Sequence, residues 1–470
     1  MENEASPRKR MRMGSLPPEV SEKDDEVSIV GESGGEIAEN ERIIYDPTAF
    51  IRCHGTGRSN RAFTETKTQV WDIAFEPDKI DPRKTTNIVA TCGGNSICFI
   101  DINTGEVIMK YSHKEKGENF YTIAWTVLPH KTGDKKSILV AGSKKGEISM
   151  FYPEEKECFY VWPFCRNIGE EDKDLKRWQK TAINSVVFHS IKTTWLFVGC
   201  KNGVIFLYDI GSDLVLPEYS SVDPQELLRL DPHLREIYNI IWTGSESQWL
   251  MAASESGMIG WKIESEKVTD EENIYTPITV DFQMPQHEND VSGIRSIVDS
   301  LDAINDFTIV CKCVMHGFLY VVDLAKTIQE LEGYDRSIAT RTEKEAKIIT
   351  KLEWSKTENF YMNMGCNRHG LICCGDDEGS IWVYEQKSLG KHLTIGDFKY
   401  NKKNPEQIKA NVRLMWPDLD DGRTEEEYED NCRKIMINKV SVSHDSKHIV
   451  AVTSNNMVCV WKRQESTEQD

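Results

Sequence analysis

A unit of three short alternating strands recurs along most of this chain, and this repetition constrains the fold more than any other feature. The unit is clear where "VWDIAFEP" is followed by "NIVATCGGNSICFIDINTGE", with a Gly-Gly hairpin between its last two strands. One such sheet cannot bury both of its faces, so the copies must pack against each other. Sheets repeated around a central channel form a β-propeller, and we therefore predict an all-β fold.

Seven copies of the unit are present, and the period is somewhat wider than the roughly 40–45 residues of a WD40 repeat. The sequence predicts a seven-bladed WD40 β-propeller over residues 43–463. Two β-sandwiches are the alternative, but they do not explain the evenness of the units. Charged or polar insertions occupy 165–180, 264–290 and 388–434, and residues 325–347 have helical spacing. The predicted blades lie near residues 70–111, 120–162, 181–217, 236–265, 291–325, 347–387 and 435–463.

The two ends of the chain lack the strand pattern. Residues 1–42 contain no aromatic residue and are rich in Ser, Glu, Gly and Pro, so we expect disorder there and at 464–470. A basic cluster in the first segment is typical of a nuclear localisation signal, although a solvated charge run would look similar. It comprises Arg8, Lys9, Arg10 and Arg12. Acids beside Val27, Ile29 and Val30 resemble a SUMO-interacting motif, which adds as a strand to a partner's sheet.

Charge excludes two classes of partner. The chain has 57 basic and 76 acidic residues, a net charge of −19. We therefore expect no binding to naked DNA or to anionic membranes, since phosphate contacts dominate such binding, and we expect steering toward basic partners. The longest apolar stretch is interrupted by Lys312 and His316, so no membrane span is predicted. The 13 cysteines include no Cys-x-x-Cys pair, which favours reduced interior thiols.

Catalytic motifs are missing from the sequence: it has no Gly-x-Ser-x-Gly elbow, phosphate loop or dinucleotide fingerprint. Cys366, His369, Cys373 and Cys374 fall within nine residues, but the hairpin pattern places the adjacent cysteines in a core strand. Structural zinc usually takes four ligands from two paired turns. We therefore predict no metal, no cofactor and no enzymatic activity. A propeller enzyme is the alternative, and it would need acids or a metal lining the channel.

The stretch "GENFYTIAWTVLP" contains two adjacent aromatics, Phe120 and Tyr121, at the start of a first strand. Aligning the first strands on their last large apolar residue places Trp71, Tyr121 and Tyr238 at one common position. Other units have Asn184, Thr350 and Asn438 there. Because the first strand lies nearest the axis, we expect the three aromatics, with Phe120 beside them, at one channel mouth. Such rings could form a cage for a methylated lysine or could simply plug the channel.

Several segments closely resemble the WD40 half of the leucine-rich repeat and WD repeat-containing protein 1 family, also called the origin-recognition-complex-associated protein. They include "DPTAFIRCHG", "TQVWDIAFEP", "ENFYTIAWT" and "VAVTSNNMVCVWKR". The resemblance covers residues 45–463, and the family's leucine-rich repeats are not seen in the first 45 residues. It implies a nuclear, chromatin-associated module that binds the origin recognition complex and repressive methylated histone tails. Heterochromatin organisation and replication initiation would be its processes.

The strand "ENFYTIAW" also resembles the embryonic ectoderm development subunit of the Polycomb methyltransferase complex. That resemblance implies that Trp71 and Tyr121 are the first two walls of a trimethyl-lysine cage, with the third wall at Thr350 and Lys351. Neither of these is aromatic, so either Tyr238 supplies the wall or the cage lacks one. The alternatives to the first function are therefore a Polycomb-type subunit supporting a histone methyltransferase and a scaffold that binds no histone.

Overall fold

The structure is a computed structural model, and its strands are short and apolar on the faces that meet neighbouring sheets. It describes residues 43–55, 65–130, 133–164, 181–211, 224–231, 236–244, 248–270, 275–290, 295–329, 341–368, 370–389, 405–415 and 435–464. The basic cluster and the candidate SUMO-interacting residues lie outside these ranges. In the described part, the helices are too short and too polar to cross a membrane.

Thirty strands, two short helices and one 3₁₀ turn make up the described structure. The strands are β1 Tyr45–Ile51, β2 Val70–Pro77, β3 Thr85–Gly93, β4 Ser96–Asp101, β5 Glu106–Ser112, β6 Phe120–Pro129, β7 Lys135–Ser143, β8 Ile148–Tyr152, β9 Glu157–Trp162, β10 Ile183–Phe188, β11 Trp195–Cys200, β12 Ile205–Asp209, β13 Gln225–Leu230, β14 Ile237–Trp242, β15 Trp249–Ser254, β16 Gly257–Lys262, β17 Ile278–Gln283, β18 Val298–Asn305, β19 Thr308–Cys313, β20 Phe318–Asp323, β21 Arg341–Glu345, β22 Ile348–Glu353, β23 Gly365–Cys366, β24 Leu371–Gly375, β25 Ser380–Glu385, β26 Gln407–Ile408, β27 Val412–Met415, β28 Ile437–Val442, β29 His448–Thr453 and β30 Val458–Arg463. The helices are α1 Ser265–Val268 and α2 Leu324–Gln329, and the 3₁₀ turn is Gln386–Leu389.

The strands form seven sheets, which confirms the seven-bladed propeller. The first strands of neighbouring sheets contact each other around the ring, so they line the central channel. In chain order the sheets are β2–β5, β6–β9, β10–β13, β14–β17, β18–β20 with β22, β23–β25 with β27, and β28–β30 with β1. The last sheet therefore takes its outer strand from the beginning of the chain. Tyr45 pairs with Arg463 and Ile51 with Val458, which closes the ring.

Each junction between adjacent sheets has its own hydrophobic core. Between the first and second sheets, for example, Phe99, Phe120 and Leu139 are fully buried in one cluster. Seven such clusters correspond to the seven junctions. Apolar side chains are therefore buried on both faces of the inner strands, which explains the nearly continuous apolar runs in the sequence.

The sixth predicted blade began at the wrong strand. The segment "IITKLEWSK" forms β22, which pairs with β20 as the outer strand of the fifth sheet. The first strand of the sixth sheet is instead the two-residue β23, supplemented by a bridge between Asn363 and Lys439. Alternation of apolar and polar residues predicts a strand but does not show which of two neighbouring sheets the strand joins. The prediction therefore assigned this strand to the sixth blade instead of the fifth.

Two insertions add strands to the outside of the preceding sheet. The insertion after β20 continues as α2 and then as β21, which pairs in parallel with β17 of the fourth sheet. The helical spacing predicted over 325–347 is thus realised only over Leu324–Gln329 among the described residues. The insertion after β25 likewise provides β26, which pairs in parallel with β22.

Candidate functional site

A β-bulge at the start of the first strand determines which side chains reach the channel mouth. Six of the seven first strands have a register irregularity that skips one residue. A bulge leaves this residue out of the ladder and redirects its side chain. The bulged residues are Trp71, Tyr121, Asn184, Tyr238, Asp299 and Asn438. The end of the channel at these six residues is called the channel mouth below.

The bulge explains why two aromatics can stand side by side at the start of β6. Phe120 is paired with Ser143 and fully buried, and its ring packs 6.4 Å from that of Tyr111 and 6.2 Å from that of His113. Tyr121 is the skipped residue and is half-buried. The predicted place of Phe120 at the mouth is therefore wrong, because its side chain packs in the core between two sheets.

Polar side chains at or next to the bulges connect six of the seven blades to the following one. The Asp72 carboxylate accepts the backbone N–H of Ile123 at 3.0 Å, and the Ser185 hydroxyl accepts that of Ile240 at 3.0 Å. Equivalent bonds use Thr122, Asn239 and Ser300, and the Asn438 amide donates to the Val70 carbonyl. These bonds hold the first strands in a fixed register, so the bulged side chains keep their relative positions.

Four aromatic rings lie together at the mouth. Trp71 contacts Tyr121 with ring centroids 5.6 Å apart at 86° and contacts Tyr361 at 6.1 Å and 78°. Tyr238 meets Tyr361 at 5.3 Å and 79°. The structure thus brings Trp71, Tyr121 and Tyr238 into one cluster, joined through Tyr361. Phe360 extends this cluster by stacking on Tyr238 at 5.6 Å.

Aligning the first strands did not locate Tyr361, and the Polycomb resemblance implied a third wall elsewhere, at Thr350 and Lys351. Thr350 is buried in β22 and donates to the Glu406 carbonyl, while the Lys351 ammonium lies over the Phe318 ring at 5.4 Å. Both belong to an outer strand rather than to the mouth. One signal could have located Tyr361: the tetrapeptide Glu-Asn-Phe-Tyr occurs at 118–121 and again at 358–361.

Hydrogen bonds and charge fix the character of the mouth. The Tyr361 hydroxyl donates to Glu236 Oε1, which also accepts the Asn184 amide at 3.1 Å. The Lys201 ammonium lies 3.6 Å from the same carboxylate oxygen. Burial raises the pKa of Tyr121 and that of Tyr361, so both phenols stay neutral at physiological pH. The faces of these neutral rings favour a cation over an anion, because the ring quadrupole is negative above the face.

A cavity of about 320 Å³ continues from the mouth into the channel. It is lined by residues of the first strands, including Tyr121, Asn184 and Tyr238 from the mouth. The channel carboxylates are used by the backbone: Asp72 accepts two N–H groups, and Asp302 accepts that of Cys366 at 2.6 Å. These carboxylates therefore act as structural acceptors in the ring of blades.

The cysteine-rich hairpin does not assemble the zinc set considered from sequence. Cys373 and Cys374 are buried in two different hydrophobic clusters, on opposite faces of β24, and His369 lies outside the described residues. Another group, Cys53, His54 and Cys98, has ligating atoms within 4.8 Å of one another. Both ring nitrogens of His54 are already bonded, to the hydroxyls of Ser96 at 2.9 Å and Thr91 at 2.8 Å. This histidine therefore fits a structural role.

Comparison with known proteins shows which family this chain resembles over most of its length. The family model for the leucine-rich repeat and WD repeat-containing protein 1, WD domain, matches residues 33–464. The protein of that name from Xenopus laevis is 32% identical over 428 residues, covering 89% of this chain and 53% of its own length. The one from Homo sapiens is 27% identical over 444 residues, covering 93% and 60% respectively. The chain thus spans about half the length of such relatives.

More distant matches point to Polycomb proteins. Polycomb protein esc of Drosophila melanogaster is 22% identical over 319 residues, covering 65% of this chain and 68% of that protein. A chain in the crystal structure of the Chaetomium thermophilum polycomb repressive complex 2 superposes with a TM-score of 0.61 at 11% identity, covering 89% of this chain and 98% of that one. At this identity the structural match shows a shared fold.

Proposed function

The chain belongs to the leucine-rich repeat and WD repeat-containing protein 1 family, and from this premise we propose that it is a non-catalytic chromatin module that binds a methylated lysine of a histone tail. The observation that carries the proposal is the set of perpendicular rings at the channel mouth, Trp71 against Tyr121 and Tyr361. Rings at right angles turn their faces in different directions, so one ligand beside them can touch more than one face. A methylated ammonium suits such a position because it loses no strong hydrogen bonds to water.

The energetics favour a cationic ligand. A desolvated cation over an aromatic face gains roughly 0.5–2 kcal/mol per ring, so three walls suffice for measurable binding of one side chain. The Glu236 carboxylate, held by Tyr361 and Asn184, lies beside the rings and is also paired with the exposed Lys201 ammonium at 3.6 Å, so the ring faces are the main attraction for a cation. The net charge of −19 would steer basic histone tails toward the protein and oppose approach to naked DNA.

The cellular role proposed here follows the family. We place the protein in the nucleus, bound to the origin recognition complex and to repressive methylated histone tails, in heterochromatin organisation and replication initiation. A Polycomb-type subunit supporting a histone methyltransferase is the second candidate. It draws support from the sequence similarity to Polycomb protein esc and from the second wall contributed by Tyr121.

Calorimetric titration of paired histone-tail peptides, unmodified and trimethylated, tests the site. Wild-type protein should prefer the trimethylated peptide, and Trp71→Ala or Tyr361→Ala should weaken that binding at least tenfold, about 1.4 kcal/mol. Lys351→Ala is the matched control, because the Polycomb resemblance implies a wall at this residue, which lies on an outer strand. Equal binding of the paired peptides, or wild-type affinity of Tyr361→Ala, would refute the cage.

A pull-down from nuclear extract separates the proposed partners. Origin-recognition subunits should be recovered with both wild-type protein and Trp71→Ala if they bind away from the mouth. Recovery of methyltransferase subunits instead would support the Polycomb-type role. Recovery of neither, together with no preference for methylated peptide, would leave only the scaffold.

A further inference from the structure

The fifth blade differs from its neighbours because a charged residue occupies its bulge position. Asp299 stands where three other blades have an aromatic, and it pairs with Lys312 of the adjacent strand at 2.9 Å between carboxylate and ammonium. The Asp299 and Lys312 side chains are 0% and 1% exposed. We propose that this buried ion pair is a positioning device for the Tyr361 wall, an inference that rests on the proposed methyl-lysine site.

The carboxylate connects the pair to the wall. Asp299 Oδ2, the oxygen facing the Lys312 ammonium, accepts the backbone N–H of Tyr361 at 3.2 Å. At the far end of the same residue, the Tyr361 hydroxyl donates to Glu236. The backbone of Tyr361 is thus held by Asp299 of the fifth blade. Its hydroxyl is held by Glu236, which immediately precedes the first strand of the fourth blade. Its ring lies between these anchors, against Trp71 and Tyr238.

The backbone of Tyr361 needs such an anchor. Its φ is 65°, in the left-handed region that residues other than glycine rarely occupy. This conformation persists only where the surroundings hold it. Without an acceptor for its N–H, the residue can relax to a negative φ, which would rotate the ring away from Trp71.

Stability alone does not account for the pair. Replacing a buried ion pair by apolar residues of similar volume is often neutral or stabilising, whereas removing one partner leaves an uncompensated charge. Lys312 also lies 5.0 Å from the Trp354 ring centre, so its ammonium is held by a second feature of the same junction. The ion pair therefore fixes the position of a carboxylate at the bulge and is not needed for a more stable core.

Two double variants isolate the role of the acceptor. Asp299→Asn with Lys312→Met removes both charges but keeps an oxygen for the Tyr361 N–H. Asp299→Leu with Lys312→Met removes both charges and the acceptor. The first should bind trimethylated histone peptide within about threefold of wild type, and the second should lose at least tenfold while its unfolding midpoint stays close to that of the first. Equal peptide affinity of the two variants would overturn the inference.

Hydrogen exchange of the Tyr361 amide gives a readout independent of the peptide. In wild-type protein this amide should be protected, and in the leucine variant its protection should fall at least tenfold. A freely exchanging Tyr361 amide in wild-type protein would overturn the inference even if the leucine variant failed to fold. If wild-type protein ignores methylated peptides but Tyr361 shows this exchange pattern, the proposed function fails and the positioning role stands.

Discussion

Phe120 and Tyr121 are neighbours in sequence, but replacing each by alanine should affect a different property of the protein. Phe120 is fully buried between the first two sheets, in contact with Tyr111 and His113. Tyr121 is skipped by the bulge and contacts Trp71 at the channel mouth. Phe120→Ala should therefore change stability, whereas Tyr121→Ala should change binding.

The magnitudes differ enough to be distinguished. Truncating a buried phenylalanine costs about 3–5 kcal/mol of unfolding free energy through lost transfer energy and the cavity left behind. Tyr121→Ala loses one edge-to-face pair, about 0.5–1.5 kcal/mol, along with the partial burial of its ring. For a trimethylated peptide, it should weaken binding at least tenfold, about 1.4 kcal/mol, because one wall is gone.

Urea unfolding and calorimetric titration measure the two effects on the same samples. Tyr121→Phe is the control for binding, since it retains the ring face, and Phe120→Leu is the control for packing, since it retains most of the apolar volume. The peptide affinity of Phe120→Ala, measured under conditions where it is folded, should stay within about threefold of wild type. If Tyr121→Ala instead destabilises the protein as much as Phe120→Ala and leaves binding unchanged, the Tyr121 ring is core packing and the bulge argument fails.

The remaining predictions address stability, metal content and location. Trp125→Ala should destabilise the fold by roughly 3 kcal/mol in urea, because its indole packs 5.9 Å from Phe99 and donates to a carbonyl of the first blade; an unchanged midpoint would contradict this. Burial lowers the pKa of His189 to about 4, and its Nδ1 accepts two backbone N–H groups. Its stabilising contribution is therefore present above pH 6.5 and lost as the pH falls toward 4. His189→Asn should flatten the loss of thermal stability over that range, whereas a slope equal to that of wild type would assign the loss to other groups. Metal analysis of the purified protein should find no stoichiometric zinc. A tagged protein in which Arg8, Lys9 and Arg10 are changed to Ala should move from the nucleus to the cytoplasm, and an undiminished nuclear signal would remove the role of this cluster.

Local patterns predicted most of the fold because each blade is built from neighbouring strands. Alternation and hairpin glycines are visible over a few residues, so the architecture and the number of blades were predictable. Two features were not. Strand β23 has only two residues and leaves no periodic signal. Strand β1 pairs with β30 at the other end of the propeller, and no local pattern encodes a partner so distant.

The strand pattern predicted the residues of the site that belong to strands. Trp71, Tyr121 and Tyr238 could be found by counting back from the last large apolar residue of each first strand, since the bulge occurs at the same place in each. Tyr361 lies in a connection before a very short strand, so counting along a strand cannot reach it, and its sequence signal is the repeated tetrapeptide Glu-Asn-Phe-Tyr. Its left-handed backbone and its hydrogen bond to Asp299 are tertiary effects that the sequence does not display.

The closure of the ring by β1 has a consequence during synthesis on the ribosome. Ile51 cannot pair until Val458, about 400 residues later in the chain, has been synthesised. At roughly 5–20 residues per second, translation of that interval takes on the order of 20–80 s. Throughout this time the segment that forms β1 lacks the strand with which it pairs, and its apolar side chains lack the last blade against which they pack. The growing polypeptide thus has a long aggregation-prone interval, and its folding yield should depend on chaperones that protect this first strand until the last one is made.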